Sequence, residues 1–324
     1  MSMPQLTVIG GGTGIPVVLK ALREKDIAIT AVVTVADDGG SSGVLRQATK
    51  VTPPGDLRNV LIAMSDMPAF YEEVLQYRFA KDDGPLAGHP IGNLLITGIA
   101  EMQGSTNRAM QILSRFFHTT GHIYPSSDTP LTLHAVFKDG TEVAGESHIS
   151  KYTGMIDRVF VTDSLTGQEA HALPEVVEAI MASDMIVLGP GSLYTSVLPN
   201  LMIPAIKEAL LKTTAEVVYI CNIMTQRGET EHFSDADHVA VINHHLGEKR
   251  VDTVLVNRAP VQKAYQVAHH FDDYLVQVTH DVQGLRKEVG RIITGDFLCL
   301  EKGGAFHDGQ LLTEELLTIL EVGL

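Results

Sequence analysis

Apolar and polar residues alternate in blocks along this chain. Short apolar runs end in glycines and polar residues, and stretches with apolar residues at helical spacing follow. Leu6, Val8 and Ile9 read as a buried strand, and Pro16 to Leu22 as a helix. Ile27 to Val35 reads as a second buried strand, Val60 to Met64 as an apolar helix, and Leu94 to Met102 as another, with helix continuing over residues 105–117. From Ile123 the period changes to two. LTLHAVF, a turn at Asp139-Gly140, EVAGESHI and RVFVTD then predict a hairpin and a third strand. The α/β rhythm returns with a helix from Glu175 to Ala182 and a strand from Met185 to Leu188. A helix over 201–212, a strand from Ala215 to Cys221, a helix from Ala236 to Leu246 and a strand from Val251 to Asn257 complete it. The remainder reads as less regular. This order predicts an α/β fold: a Rossmann-like, doubly wound, mostly parallel sheet with helices on both faces and a small inserted β-hairpin region. Residues 1–324 then form a single domain, with an N-terminal half over 1–120, a β-rich insertion over 121–170 and a C-terminal half over 171–324.

Composition narrows the function classes. The chain has 324 residues, 44% hydrophobic and 19% charged, the profile of an ordinary globular protein. A formal net charge of −15 argues against nucleic acid, whose phosphates need Lys and Arg. Cys221 and Cys299 lie far apart in apolar runs and read as buried, reduced thiols. No secretory leader pattern is visible, and no apolar run approaches the ~20 residues of a membrane span. The expected setting is cytoplasmic, without membrane insertion; a homo-oligomer is left open. The pairs His244-His245 and His269-His270 read as surface histidines, because adjacent positions cannot share one helical face.

The candidate chemistry sits where strands end. Gly10, Gly11, Gly12, Thr13 and Gly14 stand between a strand and a helix, the context in which backbone N–H groups cradle phosphate. Ile15 stands where the dinucleotide fingerprint has Gly or Ala. Asp37, 25 positions past Gly12, is placed to reach a ribose hydroxyl. With Asp38 it forms a carboxylate pair that is a candidate Mg²⁺ site together with ligand phosphates. Gly39, Gly40, Ser41 and Ser42 read as a flexible loop bearing hydroxyl groups. Asp56 is a candidate nucleotide contact that reads equally as a helix N-cap, whereas Arg58 and Asn59 in that first turn oppose the helix dipole and suggest a ligand task. His89 and Asn93 lie before the next helix. Gly189, Gly191, Ser192 and Tyr194 follow one later strand, and Asn222, Thr225 and Gln226 follow another. Convergence of such loops at the carboxyl ends of parallel strands marks a ligand crevice. No catalytic residue is evident. Tyr265 and Arg286 or Arg291 are further side chains that could reach a nucleotide.

Taken in order, GGGTG, TVADDGGSSG, PPGDLRN, GHPIGN, GPGSLYTSVLPN and NIMTQRGET resemble the bacterial gluconeogenesis-factor (YvcK-like) family, which is grouped with CofD-like 2-phospholactate transferases. The resemblance spans essentially the whole chain. It implies a cytoplasmic protein needed for growth and cell shape on gluconeogenic carbon sources. It also implies binding of a UDP-sugar such as UDP-N-acetylglucosamine, without established catalysis. The related transferases move a phospholactate-type group from a guanosine diphosphate donor with Mg²⁺. They lack GGSSG, and have acid-rich segments where this chain has PPGDLRN and GHPIGN. The leading expectation is therefore a nucleotide-sugar-binding regulator. A Mg²⁺-dependent transferase using a nucleotide diphosphate donor is the alternative, and a NAD-binding oxidoreductase, or NAD as mere occupant, comes third.

Overall fold

A computed structural model describes residues 3–269, 271, 275–301 and 303–323. Seven strands form one parallel sheet: β1 (Gln5–Gly10), β2 (Ala28–Val33), β3 (His122–Pro125), β7 (Met185–Leu188), β8 (Glu216–Ile220), β9 (Thr253–Asn257) and β10 (Arg291–Gly295). Their order is β10-β9-β8-β7-β1-β2-β3, with every neighbouring pair parallel. Such strands are covered on both faces, so they read as continuous apolar runs. Alternation within a run decides the face: Ile9 and Val32 enter one core cluster, while Leu6, Val8 and Val33 enter the other. Each fully buried Val, Leu or Ile contributes ~1.5–3 kcal/mol relative to exposure.

The chain winds outward from β1 through β2 to β3, then returns to β7 on the other side of β1. The direction of winding therefore reverses between β1 and β7. The crevice beyond the carboxyl ends of those two strands is where such sheets take ligands.

The second sheet is antiparallel, of order β5-β4-β6, from β4 (Leu131–Phe137), β5 (Glu142–Ala144) and β6 (Ile156–Asp163). Leu131, Leu133, Ala135 and Phe137 form its buried face. The expected turn at Asp139-Gly140 is present: Asp139 Oδ1 accepts the Thr141 N–H at 2.8 Å, and Gly140 has φ +87. β3, expected in this inserted region, instead pairs parallel with β2 in the main sheet. A final hairpin joins β11 (Leu298–Glu301) to β12 (Gly304–His307).

Several local expectations change. GGSSG is the start of a helix, Gly40–Thr49, rather than a free loop. A Cβ at Gly43 would stand 2.0 Å from the Asp38 carbonyl oxygen, so the helix packs directly on the strand-end loop. The stretch over 201–212 breaks at Pro204, which begins the helix Pro204–Lys212. The segment before it winds as a wide turn over Leu193–Val197 and a short helix, Leu198–Leu201. The helix expected to continue over 105–117 is separate, Thr106–Phe116, capped by Ser105 after the left-handed Gly104. The C-terminal stretch is more regular than its pattern indicates, with β10 and the long helix Gly309–Gly323.

Cys221 is buried as expected, Cys299 is only half-buried, and both are free. His245 is buried rather than on the surface; His270 lies outside the described residues. Among the described residues no helix is long and apolar enough to cross a membrane.

Candidate functional site

The two glycine loops at the switch point pack on each other. A Cβ on Gly14 would stand 2.1 Å from the Pro190 carbonyl oxygen, so only a bare backbone lets the loops after β1 and β7 meet. Ile15, the departure from the dinucleotide fingerprint, is fully buried. A Cβ on Gly10 would meet its Cγ2 at 2.6 Å. Close strand–helix packing, which the fingerprint secures with a small residue on the helix, is secured here by a small residue on the strand. Asn200 holds the arrangement from behind: its Nδ2 donates to the Ser196 carbonyl at 2.8 Å and the Gly10 carbonyl at 3.3 Å.

Three motifs that sequence spacing leaves far apart converge beside these loops. The Arg58 Nη1 donates to Asn93 Oδ1 at 2.7 Å, and Nη2 donates to Asn59 Oδ1 at 2.9 Å. Asn93 Nδ2 donates to Ser41 Oγ at 3.0 Å, and Ser41 Oγ is hydrogen-bonded to His89 Nδ1 at 2.8 Å. Ser41, Arg58, Asn59, His89 and Asn93 thus form one polar relay. Ser41, Arg58 and Asn93 stand in the first turns of helices Gly40–Thr49, Gly55–Met64 and Ile91–Gln103, Asn59 follows Arg58, and His89 just precedes the last helix. Arg58 forms no ion pair among the described residues, and its buried Nε has no hydrogen-bond partner. Burial lowers its pKa from the ordinary arginine value.

Opposite this cation lies a set of carboxylates. Asp37 Oδ1 accepts the Gly39 N–H at 2.8 Å, and Asp38 Oδ1 accepts the Ser147 N–H at 2.8 Å. Asp56 is in the first turn of its helix and is not the N-cap, a position held by Pro54. Its Oδ2 instead accepts the Gly12 N–H at 2.7 Å. Burial raises Asp56 to about 6, with Asp37 adding repulsion. Burial likewise raises Asp37.

Two acids escaped the sequence reading. Glu146, on a short helix of the inserted sheet, is raised to about 9 by burial and by repulsion from Asp37, Asp56, Glu229 and Asp38. Glu229 is raised to about 7 by burial, even though Thr195 Oγ1 donates to its Oε1 at 3.2 Å. Glu229 Oε2 is buried without a hydrogen-bond partner among the described residues. Only Glu229 carried a signal, through its place in NIMTQRGET. The inserted sheet lies over the crevice, with the Ser147–Asp38 bond fixing it there. Arg46 strengthens the attachment: it donates to the Asp37 carbonyl at 3.3 Å, to Thr132 Oγ1 at 3.2 Å and to Ser164 Oγ.

Other expected residues divide between the crevice and the frame. Gln226 Nε2 donates to Ser192 Oγ at 2.7 Å, joining the loops after β8 and β7, and its Oε1 is buried without a partner among the described residues. Ser42 Oγ accepts the Gly55 N–H at 3.2 Å, so it braces the helix bearing Arg58. Thr13 is exposed on the first loop, and Gly189 and Gly191 form the second. Tyr194 belongs to the core: it is buried and packs edge-on against Phe233 and His245. Thr225 ties its loop to the Val276 carbonyl, and Asn222 is half-buried at the end of β8. Tyr265 donates to the Gly304 carbonyl at 3.2 Å. Arg291 opens β10 and pairs with Glu216 at 3.3 Å, at the opposite end of the sheet from the crevice.

No group of three His, Cys, Asp or Glu side chains among the described residues has the geometry to hold a metal ion. Asp37 and Asp38 each keep one oxygen off the backbone. That donor set suits Mg²⁺ only when ligand phosphates complete the shell, which is the ordinary mode for this ion.

A parallel doubly wound sheet, with glycine loops, a polar relay and a carboxylate wall gathered at its switch point, defines a Rossmann-like α/β protein. The chain belongs to the CofD family, described as 2-phospho-L-lactate transferase CofD, which matches residues 6–298. It is 66% identical over 322 residues to a "Putative gluconeogenesis factor" of Streptococcus pyogenes serotype M3, covering 99% of each chain. It is 43% identical over 317 residues to a "Gluconeogenesis factor" of Listeria innocua serovar 6a, covering 98% of this chain and 96% of that one. A crystal structure from Bacillus halodurans superposes with a TM-score of 0.93 at 40% identity, over 98% of this chain and 100% of that chain. The expected resemblance to gluconeogenesis factors within the CofD-like group is thereby borne out.

Proposed function

We propose that this gluconeogenesis-factor relative is a regulatory protein that binds a nucleotide sugar, of the UDP-sugar class, in the crevice between β1 and β7. The observation that carries the reading is Arg58: a guanidinium with no carboxylate partner among the described residues, held by Asn93 and Asn59 beside the switch point. Such a fork suits a phosphate group. The acceptor-rich wall of Asp37, Asp38, Asp56 and Glu229 suits sugar and ribose hydroxyls. Regulation of growth and cell shape on gluconeogenic carbon sources is the role this binding would serve. UDP-N-acetylglucosamine should raise the melting temperature and be recovered unchanged. No shift at millimolar ligand refutes the reading.

The family description and the carboxylate cluster favour one second reading, a transferase acting on a nucleotide diphosphate donor. Asp37 and Asp38 would hold Mg²⁺ there, and the ion would neutralise charge on the leaving phosphate. Release of a nucleoside monophosphate from donor, acceptor and Mg²⁺ would establish it, and loss of that release in Asp38→Asn would assign the metal role. For NAD, an acid after β2 is present, but hydride transfer has no structural support in this crevice beyond the fold.

A further inference from the structure

The loop whose sequence reads as a phosphate cradle already carries an anion supplied by the chain itself. The Gly12 N–H is donated to Asp56 Oδ2 at 2.7 Å, and a Cβ on Gly11 would stand 2.8 Å from the same oxygen. This carboxylate is not on a swinging loop. It projects from the helix Gly55–Met64, which is anchored by the fully buried Leu57, Val60 and Leu61 and packs on the helix Ile15–Leu22. Asp37 adds negative field on one side, and Arg58, two residues on, supplies the opposing charge. A phosphate entering the glycine loop would lose the Gly12 donor and face a like charge at close range. A hydroxyl entering there would instead find an acceptor, because Asp56 Oδ1 makes no hydrogen bond among the described residues.

We propose that Asp56 is a specificity-determining residue, a resident anion that closes the Gly12 N–H to ligand phosphate and directs the phosphate to Arg58, leaving the glycine loop to hydroxyl-bearing parts of the ligand. The inference rests on the nucleotide reading for its ligand, but not for its test. Inorganic pyrophosphate is the probe, titrated into wild type, Asp56→Ala and Asp56→Asn proteins labelled with ¹⁵N-glycine. In the wild type pyrophosphate leaves the Gly12 amide resonance in place. In Asp56→Ala the resonance moves, and pyrophosphate binds at least tenfold tighter than to wild type. Asp56→Asn keeps an acceptor without the charge and shows a smaller gain. Thermal denaturation reports whether each variant is folded, and the Asn variant decides the matter if the Ala variant is not. A Gly12 shift in the wild type, or no gain in the folded variants, overturns the assignment. Parallel titration of wild type with UDP-N-acetylglucosamine separates the two ideas. Absence of binding there, with the pyrophosphate gain intact, refutes the nucleotide-sugar reading and leaves the role of Asp56 standing.

Discussion

Glu146→Gln should stabilise the protein, and increasingly so as pH rises. Glu146 is raised from 4.5 to about 9 by burial and by Asp37, Asp56, Glu229 and Asp38. In the folded chain it therefore keeps its proton through neutral pH, whereas in the unfolded chain it loses it near pH 4.5. The sign follows: between those values the native state binds the extra proton, so stability is full below about 4.5 and falls as pH rises toward 9. One proton difference makes a slope of ~1.4 kcal/mol per pH unit. From the unfolded value to pH 8 that integrates to roughly 4–5 kcal/mol, and partial exposure and the coupled neighbours reduce it to about 2–4 kcal/mol. Glutamine imitates the protonated acid in shape and never ionises, so it removes this penalty.

The assay is urea denaturation followed by far-UV circular dichroism, since the chain has no Trp to report. Wild type and Glu146→Gln are compared at pH 5, 6.5 and 8. The two should nearly coincide at pH 5 and diverge steadily above it. Parallel curves across the range, or a variant less stable at pH 8, would refute the claim that Glu146 stands protonated among the site's carboxylates.

Three further outcomes follow from contacts already described. Gly14→Ala places a Cβ 2.1 Å from the Pro190 carbonyl oxygen and should cost about 2–4 kcal/mol in urea denaturation, since backbone on both sides must move. Arg58→Ala should weaken UDP-sugar binding by about 10–100-fold in calorimetry, the range for one charge-assisted hydrogen-bonding group. His245 Nδ1 is bonded to the Val241 carbonyl and its Nε2 accepts the Val159 N–H at 3.0 Å, so His245→Phe orphans that N–H. It should destabilise by about 1–3 kcal/mol, with faster hydrogen exchange at Val159. Burial lowers the His245 pKa, so its contribution is full above the ordinary histidine value and is lost as pH falls below it.

Most of the sheet was legible because parallel strands are buried on both faces and so announce themselves as apolar runs. β10 was missed because RIITG is short and only half-buried at the sheet edge. GGSSG misled for a different reason: glycine and serine favour turns, but here the bare Gly43 lets the turn close on the Asp38 carbonyl oxygen five residues back and run on as a helix. At the site, the glycine loops and the pair Asp37-Asp38 were visible from spacing alone. The partnership of Arg58 with Asn93, and of Ser41 with His89, spans dozens of residues and needs the fold. Glu146 was invisible because its sequence neighbours belong to a hairpin, and only the docking of that sheet brings it over the crevice.

The segments GGSSG, GDLRN and GHPIGN, far apart in sequence, supply every member of the relay. In the proposed reading, a carboxylate wall beside the Arg58 guanidinium suits a ligand that brings hydroxyl donors as well as phosphate. On that reading UDP alone would satisfy Arg58 but would bring fewer donors to those acceptors than a UDP-sugar does. Hydrogen bonds to charged acceptors are worth ~1.5–3 kcal/mol each, so even one made by the sugar amounts to about tenfold or more. Calorimetric titration should therefore show UDP-N-acetylglucosamine binding at least about tenfold tighter than UDP. Equal affinity would mean that the sugar lies outside the carboxylate wall, and the pairing of hydroxyls with acidic side chains would have to be abandoned.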